Sequence, residues 1–384
     1  MTRTLLFHAG MPKTGTTSIQ NACFAARRTL LAEDGILYPS IAANHTNAIC
    51  SLFMDDPTRH ISNKMADIRT PEQVVALQAH YRASLVHDLE NNDWDRLLVS
   101  AEGAANLSRV ELERLREWFA MYVDEIEVIY YLREPLGYTT SVSQQLLKGG
   151  MTLGELHNKP QLPNWSGRLR NAIGAFGREA VRIRDFGAAV KAEGGLVAEF
   201  CEGLGFGAAA KAAVLAEAKI DNESLSMEAA RMMSHLNTAR PLFTPEGRSG
   251  RRTGKETLTF EALPGNKFSL PLEVRRTVHE KTRQDIAWVN ETFGTTLYDT
   301  PVPSGEDHPL DPKRQVEAAH ATVLLISDLL NAVEALRLCL RAGELAEKND
   351  LEGARGRLAE AGRLSPEDEA VQIEIKRLRG RFKL

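Results

Sequence analysis

The chain has 384 residues, 43% of them hydrophobic and 26% charged, which is enough apolar content to bury a core and excludes a disordered chain or a collagen-like fibre. At roughly 100–200 residues per domain, this length predicts two domains, or one large domain with an appendage. Forty-seven Lys plus Arg against 51 Asp plus Glu leave a net charge of −4, so no global basic field recruits nucleic acid or anionic lipid, and any polyanion site must be local.

In chain order, the first 190 residues alternate short apolar runs with longer amphipathic ones, the pattern of a parallel sheet covered by helices. Thr4–His8 reads as a buried first strand. Residues Thr16 to Glu33 read as one helix, with Ile19, Cys23, Ala26 and Leu30 on a common face and Gly35 just past its end. Ile36-Leu37-Tyr38 predicts a short strand before Pro39. Leu97–Ser100 and Ile126–Leu132 predict two more, joined by a helix over Arg109–Tyr122, and Val181–Phe186 is a fifth candidate. Beyond Asp185 the texture turns helical over Leu196–Leu204, Ser224–Leu236 and Pro271–Phe293, interrupted by the basic, Gly-rich stretch Gly247–Lys255.

Four prolines between Thr300 and Pro312 mark a linker. The residues after it are all helical in pattern. Ala354, Leu358, Ala361 and Pro366 fit the second half of a tetratricopeptide-type hairpin, with Leu338, Ala342 and Leu345 at first-helix positions. The expected organisation is therefore an α/β domain over 1–300, a linker over 301–312 and a helical extension over 313–384. That extension is either a tail packed on the main domain or a surface for a protein partner or for self-association.

Cys23, Cys50, Cys201 and Cys339 lie far apart with no CxxC pair, which predicts no disulfide framework and no structural zinc. Met1–Gly10 lacks the apolar length of a signal peptide, and Ala321–Leu336 is broken by Asp328, Asn331 and Glu334. The expectation is a cytoplasmic chain without a membrane span.

The strongest local signal is His8-Ala-Gly-Met-Pro-Lys-Thr-Gly-Thr-Thr17, set between a predicted strand and a predicted helix. Backbone N–H groups of such a loop converge with the helix N-terminus on an anion. Gly10 and Gly15 permit close backbone approach, and Thr16 and Thr17 add hydroxyls. The nucleoside-triphosphatase loop places Lys and Ser/Thr directly after its second glycine. Here that position is Thr16, and the lysine has moved inside the loop to Lys13. The strands ending at Ser100 and Leu132 lack the acidic residue that would hold Mg²⁺. A second signal is Tyr130-Tyr-Leu-Arg-Glu-Pro-Leu-Gly-Tyr-Thr-Thr-Ser141. It puts Arg133 at a strand end and Ser141 on the helix opened by Pro135, a guanidinium fork and a hydroxyl suited to phosphate.

Together these two segments resemble the signature of sulfotransferases that use 3′-phosphoadenosine 5′-phosphosulfate (PAPS), over roughly residues 1–300. In that family a Pro-Lys-[Ser/Thr]-Gly-Thr-Thr loop binds the 5′-phosphosulfate, which Pro12, Lys13, Thr14, Gly15, Thr16 and Thr17 match. An Arg followed eight residues later by a Ser binds the 3′-phosphate, which Arg133 and Ser141 match. The segments Phe176–Asp185 and Asn222–Ser226 resemble bacterial members in texture. The resemblance implies a three-layer α/β fold with a parallel sheet and a P-loop-like phosphate-binding loop. It also implies PAPS as donor substrate, with no metal required.

Such a reaction needs the acceptor aligned in line with the sulfonate, charge on the bridging oxygen neutralised, and the acceptor's proton removed. Lys13 is the candidate for neutralising the leaving group. Two residues compete as base. Glu102 follows the strand Leu97–Ser100, at the carboxyl edge where open α/β sheets place ligands. His45, in Ala43–Asn47, has the better unperturbed pKa near neutrality. His8 reads as structural. Gln144, Gln145 and Lys148 are candidates to face the acceptor, and the stretch Gly247–Lys255 either closes over the nucleotide or is a solvated loop. The rivals are a small-molecule kinase, which the position of Lys13 opposes, and a nucleotide-binding scaffold without turnover. A saccharide is the favoured acceptor.

Overall fold

Thr4–His8 forms a strand (β1) whose side chains alternate between two buried faces, as a strand covered on both sides must. It is joined in one sheet by β2 (Ile36–Leu37), β3 (Arg96–Ser100), β4 (Glu125–Leu132) and β5 (Val181–Asp185). The order is β2-β3-β1-β4-β5 and every pairing is parallel. β1 is central, with His8 opposite Ser100 of β3 and Ile129 of β4. The computed structural model describes residues 2–384 apart from 220–223, 245–246, 249–251, 253–255, 306 and 308–309.

The alternation sorts the core into two halves. Leu5, Phe7, Leu97, Val99, Val128 and Tyr130 pack with the helices Arg109–Phe119 and Trp165–Phe176. Leu6, Leu98, Ile129 and Tyr131 pack with Thr16–Ala25, Gly195–Gly203 and Ala208–Glu217 on the other face. The result is a three-layer α/β fold with helices on both sides of a parallel sheet, as the periodicities predict.

The helix expected over Thr16–Glu33 is two helices, Thr16–Ala25 and Arg27–Asp34. At the break Arg27 donates to the Phe24 carbonyl at 2.8 Å and lays its guanidinium 4.3 Å over the Phe24 ring, meeting a carbonyl the interruption frees. Gly35 closes the second helix at φ +59°, the left-handed cap that glycine adopts without a Cβ penalty.

The chain forms two compact units, and they do not follow the division expected from composition. One unit contains the sheet and comprises Met1–Ser224, Pro241–Phe243 and Ser269–Asp307. The other comprises Leu225–Arg240, Thr244–Phe268 and His308–Leu384. Stretches 225–240 and 244–268 thus belong with the C-terminal helices rather than with the sheet. Polar contacts within that second unit explain the grouping. The Asn266 side chain donates to Glu228 at 2.7 Å and accepts from the Asp311 backbone at 2.8 Å, joining three sequence-distant segments. Its C-terminal part is three helices, Pro312–Glu347, Leu351–Leu364 and Glu369–Phe382. Leu338, Ala342, Ala354, Leu358 and Ala361 form their core, and the third helix adds Val371 and Ile375 to the expected pair.

Candidate active site

Between β1 and the helix Thr16–Ala25 the chain turns through two left-handed residues, Lys13 at φ +66° and Gly15 at φ +69°. Left-handed residues within such turns make the concave backbone nests that bind anions. Lys13 has a Cβ, so this conformation costs it on the order of 1 kcal/mol, strain of the kind that clusters at functional sites. Gly15 suits this φ, where an L side chain would be strained, and a Cβ there would also displace Leu196 Cδ2, 2.3 Å away. The loop is closed from inside by Thr14, whose buried hydroxyl donates to the Met11 carbonyl at 2.6 Å.

A cleft of about 580 Å³ opens at the carboxyl ends of β1, β3 and β4, where ligands bind open α/β sheets. Lys13, Gly15, Thr16, Thr17, Glu102, Arg133 and Ser141 line it, together with Ser18, Gln144, Gln145, Lys148 and Phe186. Residues from both sequence signals therefore share one cavity, although 120 residues separate Lys13 from Arg133. They are also joined directly: Arg133 Nη1 donates to the Lys13 carbonyl at 2.8 Å. The guanidinium lies 5.2 Å from the centre of the Phe186 ring, and burial pulls its pKa down, opposed by Glu134. The helix carrying Ser141 starts at Pro135, with the Glu134 carboxylate accepting from the Leu136 and Gly137 backbones at 3.0 and 2.6 Å. Pro12 and Thr14 do not line the cleft. A larger groove of about 1120 Å³ runs beside the helix Leu272–Phe293, but neither the loop nor Glu102 nor Arg133 reaches it.

Glu102 opens a 3-10 turn directly after β3. Burial raises its pKa above the ordinary 4.5, against the opposing pull of the Lys13 charge, a hydrogen bond with the Lys13 backbone, and the charge of Arg168. Arg168 is a residue the sequence reading missed. It extends from the helix Trp165–Phe176, donating to the Pro163 carbonyl at 2.9 Å and contacting Met11 Sδ at 3.7 Å behind the loop. Phe186, at the end of β5, was missed as well. Neither belongs to a local motif, and only the packing of their elements brings them to the loop.

His45 is not in the cleft. It is 1% exposed, and both ring nitrogens are engaged. Nδ1 accepts from the Ser100 backbone N–H at 3.1 Å, so Nε2 carries the proton and lies 3.2 Å from the Pro39 carbonyl. Burial lowers its pKa to about 4. The imidazole ties the segment after β2 to the end of β3, and this geometry withdraws it as the alternative base. His8 is equally internal: its Nδ1 lies 2.9 Å from Ser100 Oγ, and burial lowers its pKa to about 3. Gln20 donates to the same Ser100 Oγ at 3.1 Å, so the floor beneath the loop is a cross-braced polar cluster. Of the basic stretch 247–255, most lies outside the described residues. Arg252 is buried in the second unit, donating to Asn237 Oδ1 at 2.6 Å.

The cleft thus combines the left-handed loop backbone, two lysines, an arginine and several hydroxyls with one half-buried carboxylate. Such a set can hold a polyanion and accept a proton beside it. Among the described residues, no group of three or more His, Cys, Asp or Glu side chains is placed to hold a metal ion, and no helix is long and apolar enough to cross a membrane.

No protein-family model and no curated protein matches the chain. Among solved structures, a sulfotransferase from Alicyclobacillus acidocaldarius is similar to it at 15% identity and a TM-score of 0.33, over 63% of this chain and 95% of that one.

Proposed function

We propose that this chain is a sulfotransferase that moves a sulfonate group from PAPS to a hydroxyl or amine acceptor. The observation that carries the reading is the shared cleft. It joins the nest containing Lys13, Thr16 and Thr17 to the Arg133–Ser141 pair, with Glu102 in the same wall. A donor with phosphate groups at both its 5′ and 3′ positions needs two separate anion sites, and these two elements fit that need. When bound, the donor supplies an activated sulfonate whose departure leaves a bisphosphate.

The chain's residues would divide the work. The nest and the hydroxyls of Thr16 and Thr17 hold the 5′ end, and the Lys13 ammonium balances charge on the leaving oxygen. Arg133 and Ser141 hold the 3′-phosphate, with the Arg133–Lys13 hydrogen bond coupling the two sites. Glu102 accepts the acceptor's proton, and its raised pKa makes it a better base than an exposed glutamate. Thr17, Ser18, Gln144, Gln145 and Lys148 make the lining mostly polar, with Phe186 its one aromatic ring, which favours a hydroxyl-rich acceptor such as a saccharide over a greasy phenol.

The test is calorimetric titration with 3′-phosphoadenosine 5′-phosphate in EDTA, run against ATP plus Mg²⁺. Metal-free binding of the bisphosphate is expected, weakened at least about tenfold in both Lys13→Ala and Arg133→Ala, since each removes a charged contact. Binding of ATP alone, and only with Mg²⁺, would overturn the reading in favour of a kinase. Bisphosphate binding with no transfer to any acceptor would point to a scaffold.

A further inference from the structure

Arg133 and Phe186 stand at the mouths of neighbouring strands. Each is the first residue after its strand, and Leu132 and Asp185 are the last pair of the β4–β5 ladder. Beyond that pair the two segments part into separate helices, Pro135–Lys148 and Phe186–Lys191. The ends of elements are where a fold opens most readily.

One side chain closes this end. The Tyr298 hydroxyl lies 2.7 Å from the Leu132 carbonyl oxygen and 2.6 Å from Asp185 Oδ1, although 166 and 113 residues separate it from them. A phenol has one proton, and here two acceptors on adjacent strands share it. Burial first, then the hydrogen bond with Asp185 and its charge, raise the pKa of Tyr298, so the proton stays. Asp185 Oδ1 also accepts from the Gly187 backbone at 2.7 Å, so the carboxylate that meets Tyr298 caps the helix that Phe186 begins.

The turn that delivers the ring is strained and braced. Tyr298 has φ +56°, which a bulky L residue rarely adopts. Asn290 fixes the residues before it: its Oδ1 accepts from Thr295 Oγ1 and from the Leu297 backbone, both at 2.9 Å, and its Nδ2 donates to the Leu297 carbonyl at 3.0 Å. The ring packs on Trp165, with centroids 5.4 Å apart. Strain of this kind persists where the surroundings over-determine it, and it collects at functional sites.

We infer that Tyr298 is a positioning residue for the 3′-phosphate site. By tying Leu132 to Asp185 it keeps Arg133 and Phe186 side by side, with the guanidinium beside the Phe186 ring and against the Lys13 carbonyl. Tyr298 does not line the cleft, so it acts through those two residues. The inference rests on the reading of Arg133 and Ser141 as the 3′-phosphate site.

The test is calorimetry in EDTA with two ligands, 3′-phosphoadenosine 5′-phosphate and adenosine 5′-phosphate, which lacks only the 3′-phosphate. Their affinity ratio isolates the 3′-phosphate contacts. The parent should prefer the bisphosphate by at least about tenfold, and Arg133→Ala should remove that preference. Tyr298→Phe keeps the ring on Trp165 and removes only the hydroxyl, so the fold should survive, as circular dichroism can check. It should cut the preference about fivefold or more while leaving the affinity for adenosine 5′-phosphate within about twofold. Equal weakening of both ligands would mean that Tyr298 supports the fold as a whole, and an unchanged preference that Arg133 needs no such tie. Either result overturns this inference alone. A parent with no preference for the bisphosphate would fail the 3′-phosphate site itself, and the inference with it. Should the phenylalanine protein melt near the assay temperature, the titrations are run colder, well below its midpoint, where the same ratio decides.

Discussion

At Glu102 two effects oppose each other: burial raises the carboxyl's pKa, while the Lys13 and Arg168 charges pull it down. If the carboxylate is the base, kcat/KM should rise with pH along a limb whose midpoint lies above 4.5, the ordinary glutamate value. Glu102→Gln should remove that limb and lower kcat by about 100-fold or more, measured with donor saturating. The same raised pKa has a consequence for stability. The folded chain favours the protonated carboxyl, so the stability it confers is full below 4.5 and is lost as pH rises through the raised folded value. Glu102→Gln should therefore melt higher than the parent at pH 7, with the gain disappearing below pH 4.5. An equal melting temperature at pH 7 would mean that the carboxylate is compensated in full by its cationic neighbours.

Among the elements, the loop between β1 and the helix Thr16–Ala25 places two left-handed residues two positions apart, and they respond oppositely to substitution. Gly15→Ala puts a Cβ at an unfavourable φ and displaces Leu196 Cδ2, which should cost about 1–2 kcal/mol in chemical denaturation and weaken bisphosphate binding. Lys13→Gly relieves the strain at φ +66° and should raise stability by up to about 1 kcal/mol. It should nevertheless weaken binding as much as Lys13→Ala does. If Lys13→Gly bound the bisphosphate as well as the parent, the ammonium would have no part in the site. Arg133 depends on this loop shape, because its donor contact is with the Lys13 carbonyl and not with a side chain. The loop was readable in the sequence because strand, glycines, threonines and helix are contiguous. The Arg133–Ser141 pair was readable because Arg133 follows a contiguous apolar run and Ser141 lies on the helix that Pro135 opens, at the spacing the sulfotransferase resemblance implies.

Across the whole molecule, two neutral imidazoles are buried beside Ser100, where the central strands end. His45 and His8 have folded pKa values lowered to about 4 and about 3, against 6.5 when exposed. Their contribution to stability is complete above pH 6.5 and is lost as pH falls through the lowered values, because the unfolded chain takes up the protons first. Denaturation midpoints should therefore drop between pH 6.5 and about 4. His45→Gln, which can still accept from Ser100 and donate to Pro39, should flatten part of that drop. A midpoint unchanged across this range would contradict the buried neutral state. The same internal position explains why His45 could not be judged from its segment. Ala43–Asn47 looks like an exposed polar loop, and only its docking on β3 sequesters the ring.

The sequence by itself determined the five strands, the two-faced core and the position of the glycine- and threonine-rich loop after β1. Those depend on periodicity and on backbone preferences that act over a few residues. It also determined that Lys13 stands inside the loop and that Arg133 and Ser141 are eight apart. The tertiary structure decided that these motifs share one cleft, that Phe186 joins them there while Arg168 sits behind the loop, that Glu102 reaches the cleft and His45 does not, and that residues 225–240 and 244–268 group with the C-terminal helices. Each of those outcomes rests on contacts between residues far apart in the chain, whose burial and charge environment exist only after the elements have packed.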